Sequence, residues 1–107
     1  MTSAFIRYEG NTPKNRIMEF LITFAVEDDY SMMDIAKHSK VSYAMLKIIW
    51  KEFVKEGRVV FTRNVGKAKM YKLNVQNPII KKFIEYYWKI IEEEIQEKPK
   101  IDYTTQA

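Results

Sequence analysis

The sequence contains no cysteine and a single histidine, His38. The absence of cysteine excludes disulfide scaffolds, zinc fingers, iron–sulfur sites and thiol catalysis. One imidazole is too few for a histidine-based metal site or for a Ser/His/Asp triad of the usual kind. The paired acids Asp28 and Asp29 lie in a short turn with no glycine loop, base or metal ligand beside them. We therefore expect no enzyme activity, no catalytic residues, no metal and no cofactor.

The sequence also lacks a long hydrophobic run. No apolar stretch approaches the roughly 18 residues that a membrane span needs, and the first residues do not form a charged-then-apolar signal peptide. We therefore expect a cytoplasmic protein with no membrane partner. Its 107 residues, 47% of them hydrophobic and 30% charged, suffice for one domain with a modest core.

Acidic residues are scarce in the middle of the chain. The whole sequence has 18 basic and 14 acidic residues, a net charge of +4. Between Lys37 and Lys72, however, ten basic residues are opposed only by Glu52 and Glu56. A basic segment of this kind indicates a polyanionic partner, most economically the phosphate backbone of nucleic acid. The alternative is a lysine-rich surface that is merely solvated.

Capping signals and apolar periodicity predict the first helix. Thr12-Pro13 is an N-cap followed by proline at the first helical position, and predicts a helix over 13–26. Its apolar residues form a core stripe of Ile17, Phe20, Leu21 and Phe24 and, beside it, a second stripe of Met18, Ile22 and Ala25. The helix is therefore apolar over more than half of its circumference. Residues 3–9 alternate too briefly to distinguish a short strand from an ordered arm.

Five further elements are predicted after this helix. Ser31 and Asp34 have the spacing of a capping box and begin a short helix that ends near Ser39. Ser42 caps the next helix, over 43–56, which ends at a glycine. β-branched and aromatic residues predict a hairpin with strands 58–62 and 69–73. Asn77-Pro78 begins a long helix that Pro99 ends near residue 98.

This order of elements and a set of spaced residues resemble the helix-turn-helix of bacterial and archaeal winged-helix regulators, including the MarR and ArsR types. The residues that carry the resemblance are Ile35-Ala36, Val41-Ser42, Leu46, Trp50, Phe53 and Gly57, followed by Val59-Val60. Residues 71–74 and 77–81 are similar to the second wing strand and the closing helix of small archaeal members. One position departs from the pattern. Lys40 stands where these proteins commonly have the turn glycine, so it must tolerate an unusual backbone angle or a different turn.

The resemblance covers roughly residues 13–98 and implies a mainly α protein with a small β-hairpin. The expected architecture is a winged helix-turn-helix with a long C-terminal dimerisation helix. Its parts are an N-terminal arm or short strand at 1–11, the winged helix-turn-helix domain at 12–77, the dimerisation helix at 78–98 and a flexible tail at 99–107. In this fold the second helix of the helix-turn-helix, here 43–56, lies in the DNA major groove.

The predicted helix over 43–56 has a basic stripe opposite its apolar face. At about 100° per residue, its core side consists of Met45, Leu46, Ile49, Trp50 and Phe53. The opposite stripe carries Ala44, Ile48 and three lysines, whose mutual repulsion indicates a neutralising partner. The stripe has no Arg, Asn or Gln, the side chains that make bidentate base contacts. This composition favours backbone binding or selectivity through DNA shape.

The predicted wing adds further cations. Arg63, Lys67 and Lys69 flank its tip, where they would contact phosphates, with Arg63 as the natural probe of the minor groove. Alternatively, lysines on an edge strand serve only to block aggregation. The predicted DNA-binding residues are Lys40, Ser42, Tyr43, Ala44, Lys47, Ile48, Lys51, Arg63, Lys67 and Lys69.

The last predicted helix is apolar over about 200° of its circumference, twice what one core-facing stripe requires. Half of this arc covers the domain, and the other half needs a partner, most simply a second copy of the chain. The predicted dimer interface consists of Met18, Ile22, Phe83, Ile84, Tyr87, Trp88, Ile91 and Ile95. An effector pocket lined by residues 86–88 is an alternative, but such aromatics more often serve packing, so no small-molecule effector is expected.

Together these features predict a homodimeric transcriptional regulator whose partners are double-stranded DNA and a second copy of itself. Two alternatives stay open. One is a winged-helix protein-interaction or adaptor module in a replication, transcription or plasmid-segregation assembly. The other is a non-specific architectural DNA binder. The apolar Ile48 and the lack of base-reading side chains keep the adaptor alternative open.

Overall fold

The computed structural model describes the backbone of residues 3–106 and the side chains of residues 3–96. The described backbone contains five helices and three strands. In order they are α1 (Ala4–Glu9), α2 (Pro13–Phe24), β1 (Tyr30–Ser31), α3 (Met32–Ser39), α4 (Tyr43–Lys55), β2 (Val59–Val65), β3 (Ala68–Leu73) and α5 (Pro78–Gln106). The expected winged helix-turn-helix architecture with a long C-terminal helix is confirmed.

The helices begin where the capping signals placed them. Thr12, Ser31 and Ser42 each accept a hydrogen bond from the backbone N–H three residues later, at 3.1 Å in every case. The turn between α3 and α4 passes through Lys40, whose φ of 58° is left-handed. Lys40 thus adopts the left-handed conformation that glycine commonly takes after a helix.

The three strands form one antiparallel sheet in the order β1-β3-β2. β2 and β3 make the wing hairpin, with an irregularity in register between Phe61 and Arg63. β1 adds only Tyr30 and Ser31, which pair with Tyr71 and Met70. A two-residue strand carries no periodicity, so the sequence predicted only the hairpin and missed this third strand.

One core joins the N-terminal helices, the helix-turn-helix and α5. Its fully buried large side chains are Phe5, Ile17, Met18, Leu21, Ile35, Leu46, Phe53, Leu73 and Ile80. The end of the wing is tied to this core because the Leu73 N–H donates to the Ala25 carbonyl at 2.8 Å. The core therefore fixes the wing and α4 relative to each other.

Residues 4–9 form a helix, so neither the predicted strand nor a simple arm describes them. Phe5 is fully buried and its ring lies 5.1 Å from that of Tyr87 and 6.0 Å from that of Phe83. Six residues are too few for helical periodicity to show, and tertiary packing decides the structure of this segment. Residues 1 and 2 of the predicted arm lie outside the described residues.

Several side chains lie on other faces than predicted. Met18 and Ile22, assigned to a dimer interface, are buried in the same core as Phe5. Conversely, Phe24 and Met45, assigned to the core, are 54% and 41% exposed. Met45 lies at the edge of the apolar stripe of α4, and Phe24 is the last residue of α2. At such positions the shape of the neighbouring elements rather than the periodicity decides burial.

The predicted end of the last helix near residue 98 is wrong for the described backbone, whereas the flexibility predicted for residues 99–107 stays a prediction. α5 continues through Pro99 to Gln106. A proline inside a helix removes one backbone hydrogen bond and crowds the preceding turn, which can kink a helix instead of ending it. Ala107 lies outside the described residues.

Candidate nucleic-acid interface

The outward face of α4 is the centre of the candidate site. The core holds this helix through Leu46, Trp50 and Phe53, all at most 3% exposed. The opposite face presents the predicted residues Ala44, Lys47, Ile48 and Lys51, all exposed to solvent. The structure therefore brings these four residues together on one surface, as predicted.

The turn that leads into α4 is held by an arginine that the sequence analysis did not single out. Arg16 of α2 donates from Nε to the Ser39 carbonyl at 3.0 Å and from Nη2 to the Lys40 carbonyl at 3.3 Å. These carbonyls belong to the turn that joins α3 to α4. Arg16 also donates to the Asn11 side chain at 2.8 Å. Its partners are 23 and 24 residues away in sequence, so no local pattern reveals this contact.

The C-terminal end of α4 is held in a similar way by two asparagines. Asn74 donates to the Gly57 carbonyl at 2.9 Å, and Asn77 donates to the carbonyls of Glu56 and Gly57 at 3.1 and 3.0 Å. Asn77 also accepts the Ile79 N–H at 2.9 Å, which caps α5. Both ends of α4 are therefore fixed by side-chain hydrogen bonds to the backbone.

The wing lies beside the first turn of α4. Tyr43 of α4, Lys67 and Lys69 of the wing and Met33 of α3 line one open cleft of about 560 Å³. Lys47 extends over the Tyr43 ring, with its Nζ 5.2 Å from the ring centroid. Lys47, Lys67 and Lys69 thus surround Tyr43. Together with the exposed lysines at 40, 51 and 55 they form what we call the basic surface.

The lysines of the basic surface have no acidic partner within the part of the chain whose side chains are described. Among side chains 3–96, none forms an ion pair with the lysines at 40, 47, 51, 55, 67 and 69. Every one of these lysines is exposed. Their charges are therefore available to a negatively charged partner.

Arg63 was predicted to contact the minor groove, but in the structure its guanidinium is paired with a carboxylate. Its Nε and Nη2 donate to the two carboxylate oxygens of Asp29 at 3.0 and 3.2 Å. Thr62 donates to the same carboxylate. These hydrogen bonds, that of Arg63 foremost, lower the pKa of Asp29 from 3.8 to about 2. Arg63 is therefore engaged by Asp29 in this structure, and its predicted role in DNA contact stays a prediction.

The predicted dimer residues separate into two groups. Met18, Ile22 and Tyr87 are buried in the chain's own core and offer no surface to a partner. Phe83, Ile84 and Ile91 are half-buried, whereas Trp88 and Ile95 are 48% and 68% exposed.

The three consecutive acidic residues at 92–94 form ion pairs within the chain. Lys89 contacts Glu92 and Glu93, and Arg7 of α1 contacts Glu94.

Metal-binding clusters and membrane-spanning helices are both absent from the described residues. Within the described residues no three His, Asp or Glu side chains cluster in a way that would hold a metal ion. No helix in that part of the chain is long and apolar enough to cross a membrane.

Comparison with known proteins identifies the fold. No protein-family model matches the sequence, and no curated protein matches it either. Among solved structures, Sso10a-2, a DNA-binding protein from Sulfolobus solfataricus, is similar with a TM-score of 0.52 and 18% identity, over 83% of this chain and 92% of that chain. MepR, a transcription regulator of the Staphylococcus aureus multidrug efflux pump MepA, has a TM-score of 0.60 and 13% identity, over 94% and 80% of the chains.

A MarR family transcriptional regulator, SPO1453 from Silicibacter pomeroyi DSS-3, has a TM-score of 0.58 and 15% identity. The match covers 87% of this chain and 65% of that one. Identities this low establish the fold and nothing finer. The chain is a winged helix-turn-helix protein that resembles MarR-type regulators.

Proposed function

We propose that this protein binds double-stranded DNA and acts as a transcriptional regulator, with α4 in the major groove and the wing along the backbone. The observation that carries the proposal is the basic surface. Its lysines are exposed and have no acidic partner among side chains 3–96. Lys67 and Lys69 of the wing line one cleft with Tyr43, the first residue of α4. A surface with this geometry and charge matches the way in which helix-turn-helix proteins meet DNA.

The structural relatives support this assignment. One is described as a DNA-binding protein and two as transcription regulators. A fold hosts many functions, so the basic surface and not the likeness is the primary argument.

Phosphate contacts dominate the proposed complex. Lys47 and Lys51 flank the outward face of α4, and Lys67 and Lys69 extend the contact to the wing. Ser42 adds the N-terminal end of α4, where free backbone N–H groups favour a phosphate. Because lysine acts as a point charge, these contacts position the protein without reading sequence.

The proposed active form is a homodimer joined through α5. Ile84, Trp88, Ile91 and Ile95 follow a 4-3-4 spacing, which places them on one seam of the helix. Trp88 and Ile95 are the exposed members, and the other two continue the seam toward the core. A second copy that pairs along this seam would cover the exposed apolar surface and duplicate the basic surface about a two-fold axis.

A second candidate function is an adaptor that docks on another protein. The observation in its favour is the exposed apolar surface near the basic one, where Met33 and Ile48 are each 65% exposed. An architectural DNA binder without sequence preference is the third candidate, favoured by the lack of bidentate base-reading side chains.

The full chain, titrated onto a random-sequence duplex and a pool of genomic fragments at about 50 and 200 mM salt, separates these functions. A site-specific regulator retains tight binding to a few fragments at the higher salt. An architectural protein binds all fragments alike and loses affinity steeply with salt. No DNA binding at either salt would contradict the proposal and favour the adaptor.

A further inference from the structure

Ile48 is an apolar side chain that does not belong to the hydrophobic core. It is 65% exposed, more than any other large hydrophobic residue of α4. Val54 and Met45, the next in exposure on this helix, are 50% and 41% exposed. Because most of its surface faces water, Ile48 contributes little to the burial that stabilises the core.

Its position on α4 directs it away from the domain. Ile48 lies two residues from the buried Leu46 and two from the buried Trp50, and two residues turn an α-helix by about 200°. One turn earlier on the same face is Ala44, which is also exposed and has a short side chain. The face that would meet DNA therefore carries an apolar patch formed by Ala44 and Ile48.

Cations border this patch. Lys47 precedes Ile48, and Lys51 follows one turn later. Phosphate contacts through these lysines would bring the patch against the base edges of the major groove. The apolar group that this groove presents is the C5-methyl group of thymine.

We propose that Ile48 packs on the C5-methyl group of thymine and is the specificity-determining residue of the basic surface. The preferred DNA is then rich in A·T pairs at the bases facing α4. Ala44 provides the space in which the methyl group fits. This inference rests on the proposed function and adds the class of DNA sequence that the site selects.

The expected effect follows from the apolar surface that the contact removes from water. Loss of one buried methyl group corresponds to about a fourfold loss of affinity for each recognition helix engaged. Phosphate contacts do not involve the methyl group, so the salt dependence of binding should stay the same.

Two duplexes of identical A·T-rich sequence, one with thymine and one with deoxyuridine throughout, test the proposal. Deoxyuridine keeps the hydrogen-bonding groups of thymine and lacks only the methyl group. Binding of both duplexes is measured for the wild type, for Ile48→Ala and for Val54→Ala. Alanine is a strong helix former, so both variants keep α4 folded. Val54→Ala removes an exposed apolar side chain of the same helix away from the patch.

The wild type and Val54→Ala should bind the thymine duplex about fourfold more tightly than the deoxyuridine duplex, per helix engaged. Ile48→Ala should bind both duplexes equally, at the affinity of the wild type for deoxyuridine. Equal binding of both duplexes by the wild type would overturn the thymine contact and leave the proposed function standing. A preference that persists in Ile48→Ala would overturn it as well. Failure to bind either duplex would overturn the proposed function and this inference with it.

Discussion

Arg63 of the wing donates two hydrogen bonds to the carboxylate of Asp29, at 3.0 and 3.2 Å, across 34 residues of sequence. Asp29 lies in the turn before β1, so the pair ties the root of the sheet to the outer strand of the wing. The same carboxylate accepts the Thr62 hydroxyl. The pair therefore anchors the wing to the turn between α2 and β1. Lys67 and Lys69, nearer the tip of the wing, form no ion pair with the described side chains.

The ion pair between Arg63 and Asp29 should persist at all but strongly acidic pH. The pKa of Asp29 is lowered from 3.8 to about 2, so this carboxylate favours the folded state above pH 3.8 and loses that effect as pH falls through 2. NMR titration of the Asp29 carboxyl should give a midpoint near 2 in the wild type and one closer to 3.8 in Arg63→Ala. Equal midpoints in the two proteins would show that Arg63 does not hold Asp29 in solution.

The N-terminal helix should contribute strongly to stability. Phe5 is fully buried against Phe83 and Tyr87, and truncation of a buried phenylalanine to alanine typically costs about 3–5 kcal/mol. Urea unfolding of Phe5→Ala should show a loss of this size. Tyr8→Ala is the matched control, because Tyr8 is 72% exposed on the same helix, and should change the free energy of unfolding by less than about 0.5 kcal/mol. Equal effects of the two substitutions would place α1 outside the core.

The left-handed backbone at Lys40 should cost stability that glycine would restore. A non-glycine residue in this conformation costs about 1–2 kcal/mol, so Lys40→Gly should raise the free energy of unfolding by about 1 kcal/mol. Lys37→Gly should instead lower it by about 1 kcal/mol, because Lys37 is exposed within α3. Thermal unfolding of the two variants measures both changes. A loss of stability in Lys40→Gly would mean that the turn differs from the one described.

These cases show what the sequence could predict. Thr12, Ser31 and Ser42 cap helices through contacts three residues away, so their roles were visible locally. Lys40 was identified as the unusual turn position through the resemblance, because it stands where the similar proteins commonly have a glycine. Arg16, Asp29 and the helical state of residues 4–9 depend on contacts made across the fold, and no local pattern encodes them.

The prediction of dimer-interface residues was also limited by contacts made across the fold, which periodicity does not encode. Periodicity correctly identified apolar surface on α2 and α5 in excess of one stripe. It could not show that the chain itself covers Met18, Ile22 and Tyr87. The exposed remainder around Trp88 and Ile95 is what stays available to a second copy.

Replacement of both exposed seam residues, Trp88→Asp with Ile95→Asp, should convert the proposed dimer into monomers. A buried carboxylate without a partner is strongly unfavourable at such an interface. Light scattering would measure the mass of the variant. Ile79→Asp is the control, since Ile79 is 73% exposed and lies nine residues, or half a turn around the helix, from Trp88. A dimer that survives the double substitution would place the interface elsewhere.

The salt dependence of DNA binding by Lys47→Ala with Lys51→Ala tests the central claim most directly. If α4 contacts phosphates, each lost lysine should reduce the slope of log K against log salt by about 0.9, with weaker binding to every sequence. Lys81→Ala with Lys82→Ala removes the same charge from exposed positions on α5 and should leave the slope unchanged. An unchanged slope in the α4 variant, or equal changes in both variants, would contradict α4 as the DNA-contacting element.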